Sequence, residues 1–350
     1  MSLLKHPAKN VIFLAGFLIF LSLLNGCDSQ HKSAFTLSGE TMGTTYHITI
    51  AADQLNETQE SLKKAIDSRL VEINQSFSTY IGSSEVSVFN DSKGQQWHKK
   101  SKEFINVLAH AQQISDITEG AYDITVGPLV NLWGFGPTFN VDEIPTEVQI
   151  KEVLASVGYQ NIAYNLDTLE IKKLNDKVYI DFSSIAKGYA VDEIAELIES
   201  RGYSNFMVEI GGEMRLRGKN AQNTLWRIAI EKPDSKNRSI HRVLKVSDTA
   251  IATSGDYRNF FEKDGVRFSH TINPTNGQPV QHKLASVTVL AENSMKADAW
   301  ATAFMVLGHK KGYDLAVYNR LAVLFLVKDG DGIREIATPE FTLMTQGLSS

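Results

Sequence analysis

The chain has 350 residues, 43% hydrophobic and 21% charged, which is typical of one large or two ordinary globular domains with ample core. The net charge is only −5 and no block of lysine and arginine occurs, so nothing indicates nucleic acid as a partner. Cys27 is the only cysteine, which excludes a disulfide bond within the chain.

The first 26 residues have the pattern of a secretory signal. Two lysines precede an uncharged, mostly apolar run at 11–24, which is short for a membrane span. The run leads to Leu-Asn-Gly-Cys, which resembles a bacterial lipoprotein box, so we predict a signal peptide at 1–26 and lipidation of Cys27. Asp28 resembles a signal for retention at the inner membrane, which predicts a lipoprotein on its periplasmic face. A plain secretory signal with an incidental cysteine is the alternative.

The rest of the chain predicts a short tether followed by one folded domain. Residues 27–38 are taken as the tether and 39–350 as the domain, with two closely packed sub-domains. Apolar spacing and capping residues predict helices at 62–77, 104–117, 145–156, 184–201, 297–308 and 313–318. Alternating or β-branched runs predict strands at 44–50, 169–172, 178–180, 205–210, 215–217, 225–230, 244–246, 251–254, 285–291 and 322–328. This mixture predicts an α+β fold with mixed or antiparallel sheets and flanking helices.

Shaped loops rich in glycine, proline and polar residues occur at 120–129, 253–258 and 270–279. The segment 181–188 differs, because it joins a predicted strand to a predicted helix. Serine and lysine in the first turn of a helix direct amide groups and an ammonium to one place, which is how a phosphate is held. The alternative is that Ser183 is only a helix cap and Lys187 only a surface charge.

The helix predicted at 297–308 carries a single charge, Asp298, with Thr302 one turn later on the same face. Asn293 or Ser294 can cap its start, and Gly308 is placed to end it. A carboxylate and a hydroxyl in this arrangement suit a hard cation such as Mg²⁺. The alternative is that Asp298 merely complements the helix dipole.

No P-loop, dinucleotide fingerprint or zinc spacing occurs in the sequence. Taken together, however, the shaped segments resemble one family, the ApbE-type FAD:protein FMN transferases. The matching runs follow one another over essentially the whole chain after the signal: 39–44, 77–80 with 84–86, 120–128 with 132–134, 181–188, 209–213, 253–258, 270–279 and 297–302.

The resemblance implies a reaction in which Mg²⁺ and the protein hold FAD in a cleft between the sub-domains. A Thr or Ser hydroxyl of another protein attacks the FMN-side phosphorus, and AMP leaves. By the same resemblance, Asp298, Thr302 and the carbonyls of Ser184 and Ala301 would bind Mg²⁺. The FAD contacts would be Met42, Tyr80, Ala121, Tyr122, Asp123, Asp181, Lys187 and Ile272.

His270 could help activate the acceptor hydroxyl, or it could be a hydrogen-bonded structural histidine. The resemblance also implies that the acceptors are subunits of membrane redox complexes facing the periplasm. Two alternatives remain open at this point. One is an Mg²⁺-dependent FAD pyrophosphatase that uses water as the acceptor, and the other is a non-enzymatic flavin-binding lipoprotein.

Overall fold

The computed structural model describes residues 32–136, 144–233, 239–256, 260–263, 265–330 and 332–346. The predicted signal peptide and Cys27 lie outside these residues, as do Tyr257 and Arg258 of the predicted loop 253–258. Within the described ranges, no helix is long and apolar enough to cross a membrane.

The described chain contains runs of helices and longer runs of strands. The helices are α1 (Gln59–Phe77), α2 (Glu85–Asp91), α3 (Lys102–Ile117), α4 (Gly127–Leu132), α5 (Glu147–Leu154), α6 (Ala186–Ser200), α7 (Ser294–Tyr318) and α8 (Pro339–Gln346). The strands are β1 (Ser33–Thr41), β2 (Thr44–Ala52), β3 (His98–Lys99), β4 (Ile162–Asn165), β5 (Glu170–Lys173), β6 (Phe206–Ile210), β7 (Glu213–Arg217), β8 (Trp226–Glu231), β9 (Ile240–Val246), β10 (Thr249–Gly255), β11 (Phe260–Lys263), β12 (Val266–Ser269), β13 (Leu284–Ala291), β14 (Ala322–Asp329) and β15 (Gly332–Ala337).

The centre of the fold is an eight-stranded sheet with the order β1-β2-β6-β7-β10-β13-β14-β15. Neighbouring strands in it pair antiparallel throughout. A three-stranded sheet, β3-β5-β4, and the two-stranded ribbons β8-β9 and β11-β12 complete the β structure of the described residues. The predicted α+β class with antiparallel sheets and flanking helices is therefore confirmed.

The predicted strand at 178–180 is wrong. The side chain of Asn90 donates to the carbonyl of Ile180 and accepts from its N–H, both at 2.8 Å. A side chain distant in sequence thus supplies the hydrogen bonds that a neighbouring strand would supply.

Three loop or tether predictions also need correction. Residues 33–38, which we predicted to belong to the tether, form the first part of β1 and pair with β2. Phe35 and Leu37 alternate with polar neighbours and pack on the main core, which explains the strand. Residues 127–129 of the predicted loop lie in α4, where Pro128 is tolerated in the first turn, and 253–255 lie in β10.

The core lies on both faces of the large sheet. One cluster joins the sheet to α1, α3, α6 and α7, and a second lies beneath the β8-β9 ribbon and α8. A third, smaller cluster includes Leu129, Trp133, Phe268 and Ile272. Helices α6 and α7 thus meet over the large sheet, and the third cluster includes residues of the segments 120–129 and 270–279.

Candidate active site

The junction 181–188 is held in shape by the main chain. The N–H of Asp181 donates to the carbonyl of Ile124 at 2.8 Å, which ties the junction to the loop 120–129. The carboxylate of Asp181 accepts from the N–H of Ser183 at 2.8 Å. Helix α6 begins after Ile185, and no side chain caps it, so the alternative role of Ser183 as the helix cap is wrong.

Helix α7 begins as its sequence predicts. Asn293 is the N-cap, and its side chain accepts from the N–H of Lys296. Asp298 follows in the second turn with only 3% of its surface exposed, and Thr302 lies one turn further along. Gly308 interrupts the helix with a φ of 73°, where an L-residue would be strained.

Two carboxylates connect α6 and α7. Asp298 of α7 accepts from the N–H of Gly188 at 3.0 Å. In the opposite direction, Asp192 of α6 accepts from the N–H groups of Ser294 at 2.9 Å and Met295 at 2.8 Å. We call these last two contacts the Asp192 clamp. The clamp satisfies donors at the start of α7 that have no partner within that helix.

Close packing accompanies these hydrogen bonds. A Cβ atom added to Gly188 would lie 2.8 Å from the Cα of Met295 and closer still to the carbonyl of Ser294. Only glycine therefore allows α6 and α7 to approach this closely. Arg215 of β7 donates to Asp192 at 3.0 Å and so ties the clamp to the large sheet.

The ammonium of Lys187 lies between two buried carboxylates. Its Nζ is 3.2 Å from Oε1 of Glu213 and 3.7 Å from Oδ2 of Asp298. Burial lowers the pKa of Lys187, but the charges of Asp298 and Glu213 outweigh burial and raise it above the ordinary value. Lys187 is therefore charged at neutral pH, and the alternative of a surface charge is wrong.

For the two carboxyl groups, burial outweighs the attraction of the ammonium. Burial raises the pKa of Glu213 to about 7, with Lys187 opposing the shift and Asp298 adding to it. Burial also raises the pKa of Asp298, while Lys187 and the N–H of Gly188 oppose the shift. Such an arrangement is typical of a functional site, because a fold gains little from burying two carboxylates around one lysine.

The loop 120–129 brings one aromatic ring and one carboxylate to the same place. The hydroxyl of Ser184 donates to the buried Tyr122 hydroxyl at 3.0 Å. Burial raises the pKa of Tyr122, so its hydroxyl stays neutral. Asp123 accepts from the N–H and hydroxyl of Thr125 through one oxygen and from the N–H of Tyr159 through the other. Asp123 therefore shapes the loop, whatever else it contacts.

These elements surround a cavity of about 450 Å³, within the range of small-molecule sites. Most of the predicted site residues line it, namely Ala121, Tyr122, Asp123, Asp181, Ser184, Lys187, His270, Ile272, Asp298 and Thr302. Residues from the middle and last thirds of the chain therefore meet in one cleft.

Three predicted site residues do not line the cavity. Met42 lies in the turn between β1 and β2 with a φ of 50° and packs against the main core. Tyr80 is 76% exposed, and Ala301 is buried within α7. Their predicted contacts with FAD or a metal remain predictions.

His270 lies in the cleft at the start of the loop 270–279. The centroid of its ring is 6.3 Å from that of Phe135, with the planes at 70°. The loop itself is held by the indole N–H of Trp133, which donates to the carbonyl of Gly277 at 2.8 Å. This position is compatible with either of the roles proposed for His270.

The donors near Asp298 suit a hard cation better than a soft one. Among the residues that the structure describes, no group of three or more His, Cys, Asp or Glu side chains could hold a metal. The hydroxyls of Ser184 and Thr302 line the same cleft as the Asp298 carboxylate. A carboxylate with neutral oxygen donors fits Mg²⁺, which keeps several waters and takes phosphate oxygens as further ligands.

The sequence patterns did not reveal Glu213 or Asp192 as site residues. Glu213 opens β7 directly after the Gly211-Gly212 turn, and nothing near it in sequence indicates that its partner is Lys187. Asp192 offers a weak signal, because it is an acid within the apolar face of a helix. A buried acid on such a face requires a partner, and that reasoning could have identified it.

Comparisons with known proteins agree with this architecture. The model of the ApbE family matches residues 42–325. An FAD:protein FMN transferase of Vibrio cholerae is 44% identical over 321 residues, which cover 92% of this chain and 95% of the relative. One from Escherichia coli strain K12 is 37% identical over 340 residues, or 95% of each protein.

Solved structures give the same result. The flavin transferase ApbE from Vibrio cholerae superposes with a TM-score of 0.84 at 42% identity, covering 89% of this chain and 99% of that one. The apo form of the Pseudomonas stutzeri flavinyl transferase ApbE superposes with a TM-score of 0.82 at 34% identity, covering 90% of this chain and 97% of that one.

Proposed function

The chain belongs to the ApbE family, an FAD:protein FMN transferase family, and from this premise we propose how its cleft transfers the FMN moiety of FAD to a protein hydroxyl. FAD consists of FMN and AMP joined through a pyrophosphate. The hydroxyl oxygen of a Thr or Ser side chain forms a bond to the FMN-side phosphorus. The bond from that phosphorus to the bridging oxygen breaks, AMP leaves, and a base takes the hydroxyl proton.

Catalysis of this kind rests mainly on positioning and on neutralising phosphate charge. The ammonium of Lys187, which is partly buried and lines the cleft, is suited to contact the pyrophosphate. Tyr122 and Asp181 line the same cleft and would orient the nucleotide. His270 is the candidate base, since it lines the cleft and imidazole titrates near neutral pH.

We propose that the reaction depends on Mg²⁺ and that Asp298 is its charged ligand. The observation that supports this most strongly is a carboxylate that is 3% exposed, lines the cleft and has Thr302 one turn away. The hydroxyl of Thr302 and the carbonyls of Ser184 and Ala301 would complete the oxygen donors of the protein. When bound, Mg²⁺ would neutralise phosphate oxygens and make the phosphorus more electrophilic.

The test is FMN transfer onto a threonine-bearing acceptor, measured across Mg²⁺ concentrations. Asp298→Asn removes a charged contact worth about 1.5–3 kcal/mol, so we expect apparent Mg²⁺ affinity to fall roughly tenfold or more. Asp314→Asn, an exposed acid on the same helix, is the matched control. Near-normal activity of Asp298→Asn at low Mg²⁺ would contradict the assignment.

Two further results of this assay refine the role of Asp298. If it is only a ligand, excess Mg²⁺ restores most of the rate. If it also removes the acceptor proton, saturating metal does not restore the rate. Measuring FMN and AMP in the absence of acceptor gives the rate of simple FAD hydrolysis. Hydrolysis as fast as transfer would favour the pyrophosphatase alternative.

We also propose that a lipid on Cys27 anchors the enzyme at the periplasmic face of the inner membrane. The apolar run at 11–24 and the residues around Cys27 support this. Strand β1 begins at Ser33, so an extended connection would hold it within about 20 Å of the anchor. Acceptors near the membrane surface fit this geometry, and we propose subunits of membrane redox complexes.

A further inference from the structure

Lys187 competes with any cation that Asp298 binds. Its ammonium lies 3.7 Å from Oδ2 of Asp298, whereas its contact with Glu213 is shorter, at 3.2 Å. Two positive charges at one carboxylate repel each other strongly where water is excluded. A divalent cation can therefore bind at Asp298 only if the ammonium of Lys187 is held elsewhere.

Glu213 is placed to hold it. Its side chain is 7% exposed, and its Oε2 is buried without a hydrogen-bond partner among the described residues. Both oxygens belong to a carboxylate that lines the cleft, so the second one is available when the ammonium moves. A buried acceptor without a partner is costly, and native proteins retain few of them without a function.

The turn before Glu213 lies against the lysine. Ile210 pairs with Glu213 across the Gly211-Gly212 turn, which fixes Glu213 at the end of the sheet strand. A Cβ atom on Gly211 would lie 2.9 Å from Cγ2 of Thr44 and 3.4 Å from Cδ of Lys187, and its φ of 60° favours glycine. The aliphatic chain of Lys187 therefore lies beside the turn, and Glu213 at the end of the turn accepts its charge.

We propose that Glu213 is a positioning residue that retains the ammonium of Lys187 and thereby leaves Asp298 free to bind the divalent cation. This inference rests on the proposed role of Asp298 as a metal ligand. In the absence of Glu213, Asp298 is the remaining carboxylate within 4 Å of Lys187 among the described residues. The lysine then pairs with Asp298 and excludes the cation.

The test is Mn²⁺ binding to the FAD-free protein, measured by titration calorimetry as a probe for the Mg²⁺ site. Glu213→Gln keeps the shape of the side chain, and we expect it to weaken Mn²⁺ binding about tenfold. Lys187→Met removes the competing charge and should bind Mn²⁺ at least as tightly as the wild type. The double variant should bind like Lys187→Met alone, because the group that Glu213 retains is gone.

The double variant separates this inference from a direct effect of charge. If Glu213 simply attracts the cation, or only supports the fold, Glu213→Gln weakens Mn²⁺ binding by the same factor in the wild type and in Lys187→Met. That result would overturn the inference. Glu335→Gln makes the same change on β15, at the far edge of the large sheet, where Glu335 contacts His241, and should leave Mn²⁺ affinity unchanged. Thermal unfolding establishes that each variant is folded.

Asp298→Asn in the same titration distinguishes the two proposals. If it binds Mn²⁺ as tightly as the wild type, the proposed metal site is wrong and this inference fails with it. If Asp298→Asn loses Mn²⁺ but Glu213→Gln does not, the metal site stands and only the role of Glu213 is refuted.

Discussion

Substituting Asp192 with alanine tests whether the Asp192 clamp sets the position of α7. The variant leaves the N–H groups of Ser294 and Met295 without their acceptor in a buried place. It also removes one partner of Arg215, although Glu196 remains 3.7 Å from that side chain.

The expected cost follows from these groups. Each buried donor without an acceptor costs about 1–3 kcal/mol, and removing one member of a buried ion pair costs about 3–5 kcal/mol. The two donors cost at least about 2 kcal/mol together, and Arg215, which is partly exposed and retains Glu196, adds about 1 kcal/mol, so we expect a total of about 3 kcal/mol. For the roughly 300 residues that the structure describes, at an unfolding entropy of about 2.1 cal/mol/K each, this lowers the Tm by about 5 °C.

Thermal unfolding followed by circular dichroism measures this effect, and Mn²⁺ calorimetry measures the consequence for the site. Because Asp298 lies in the second turn of α7, a shift of the helix should also weaken Mn²⁺ binding. Glu196→Ala, an exposed change on the same helix as Asp192, should alter stability by less than about 0.5 kcal/mol. A Tm of Asp192→Ala within 1 °C of the wild type would refute the argument. A lower Tm with unchanged Mn²⁺ affinity would show that the Asp192 clamp stabilises the fold but does not position the metal site.

Three further predictions concern other parts of the chain. Gly188→Ala should lower both Tm and Mn²⁺ affinity, because the new Cβ meets the backbone of α7 and forces the two helices apart; normal values of both would contradict the packing argument. The pKa of Glu213, about 7 in the fold, lies above its ordinary 4.5, so its neutral form contributes stability that is complete below pH 4.5 and lost as pH rises through 7. When pH is raised from 5 to 8 with a chelator present, the free energy of unfolding measured in urea should therefore fall less for Glu213→Gln than for the wild type. The two decreases should differ by at most about 3 kcal/mol, and equal decreases would count against the raised pKa of Glu213. Cys27→Ser should move the protein from the membrane pellet to the soluble fraction of cells while its activity in vitro is kept, and a variant that stays in the pellet would exclude the lipid anchor.

The sequence best predicted those structural features that depend on residues close together in the chain. The start of α7 at Asn293 and its interruption at Gly308 follow from capping and backbone preferences, which act within a few residues. The helical spacing of apolar residues likewise predicted α1 and α3 to within a few residues of their observed ends. Local patterns also identified the segments that line the cleft, although not which atoms within them face one another.

The failures share a physical cause, which is a partner distant in sequence. Residues 178–180 have the composition of a strand, but Asn90 satisfies the backbone of Ile180 and no strand pairs there. Glu213 was not identified because its importance depends on Lys187, which another element brings within 3.2 Å. The sequence also did not indicate that Asp123 accepts hydrogen bonds from Thr125 and Tyr159, which act on the shape of its loop.

The reciprocal hydrogen bonds from carboxylates between α6 and α7 affect how a ligand can enter the cleft. Asp298 binds the main chain of α6 and Asp192 binds the main chain of α7, so sliding or rotating either helix breaks contacts at two separate points. Two attachments of this kind make the helix pair behave as a single rigid block. The opening through which a dinucleotide passes should therefore widen by displacement of the loop 270–279, which lines the cleft and belongs to neither helix, and not by movement of α6 or α7. Hydrogen exchange of the free enzyme should be slow in the amides of Gly188, Ser294 and Met295 and faster in the loop 270–279.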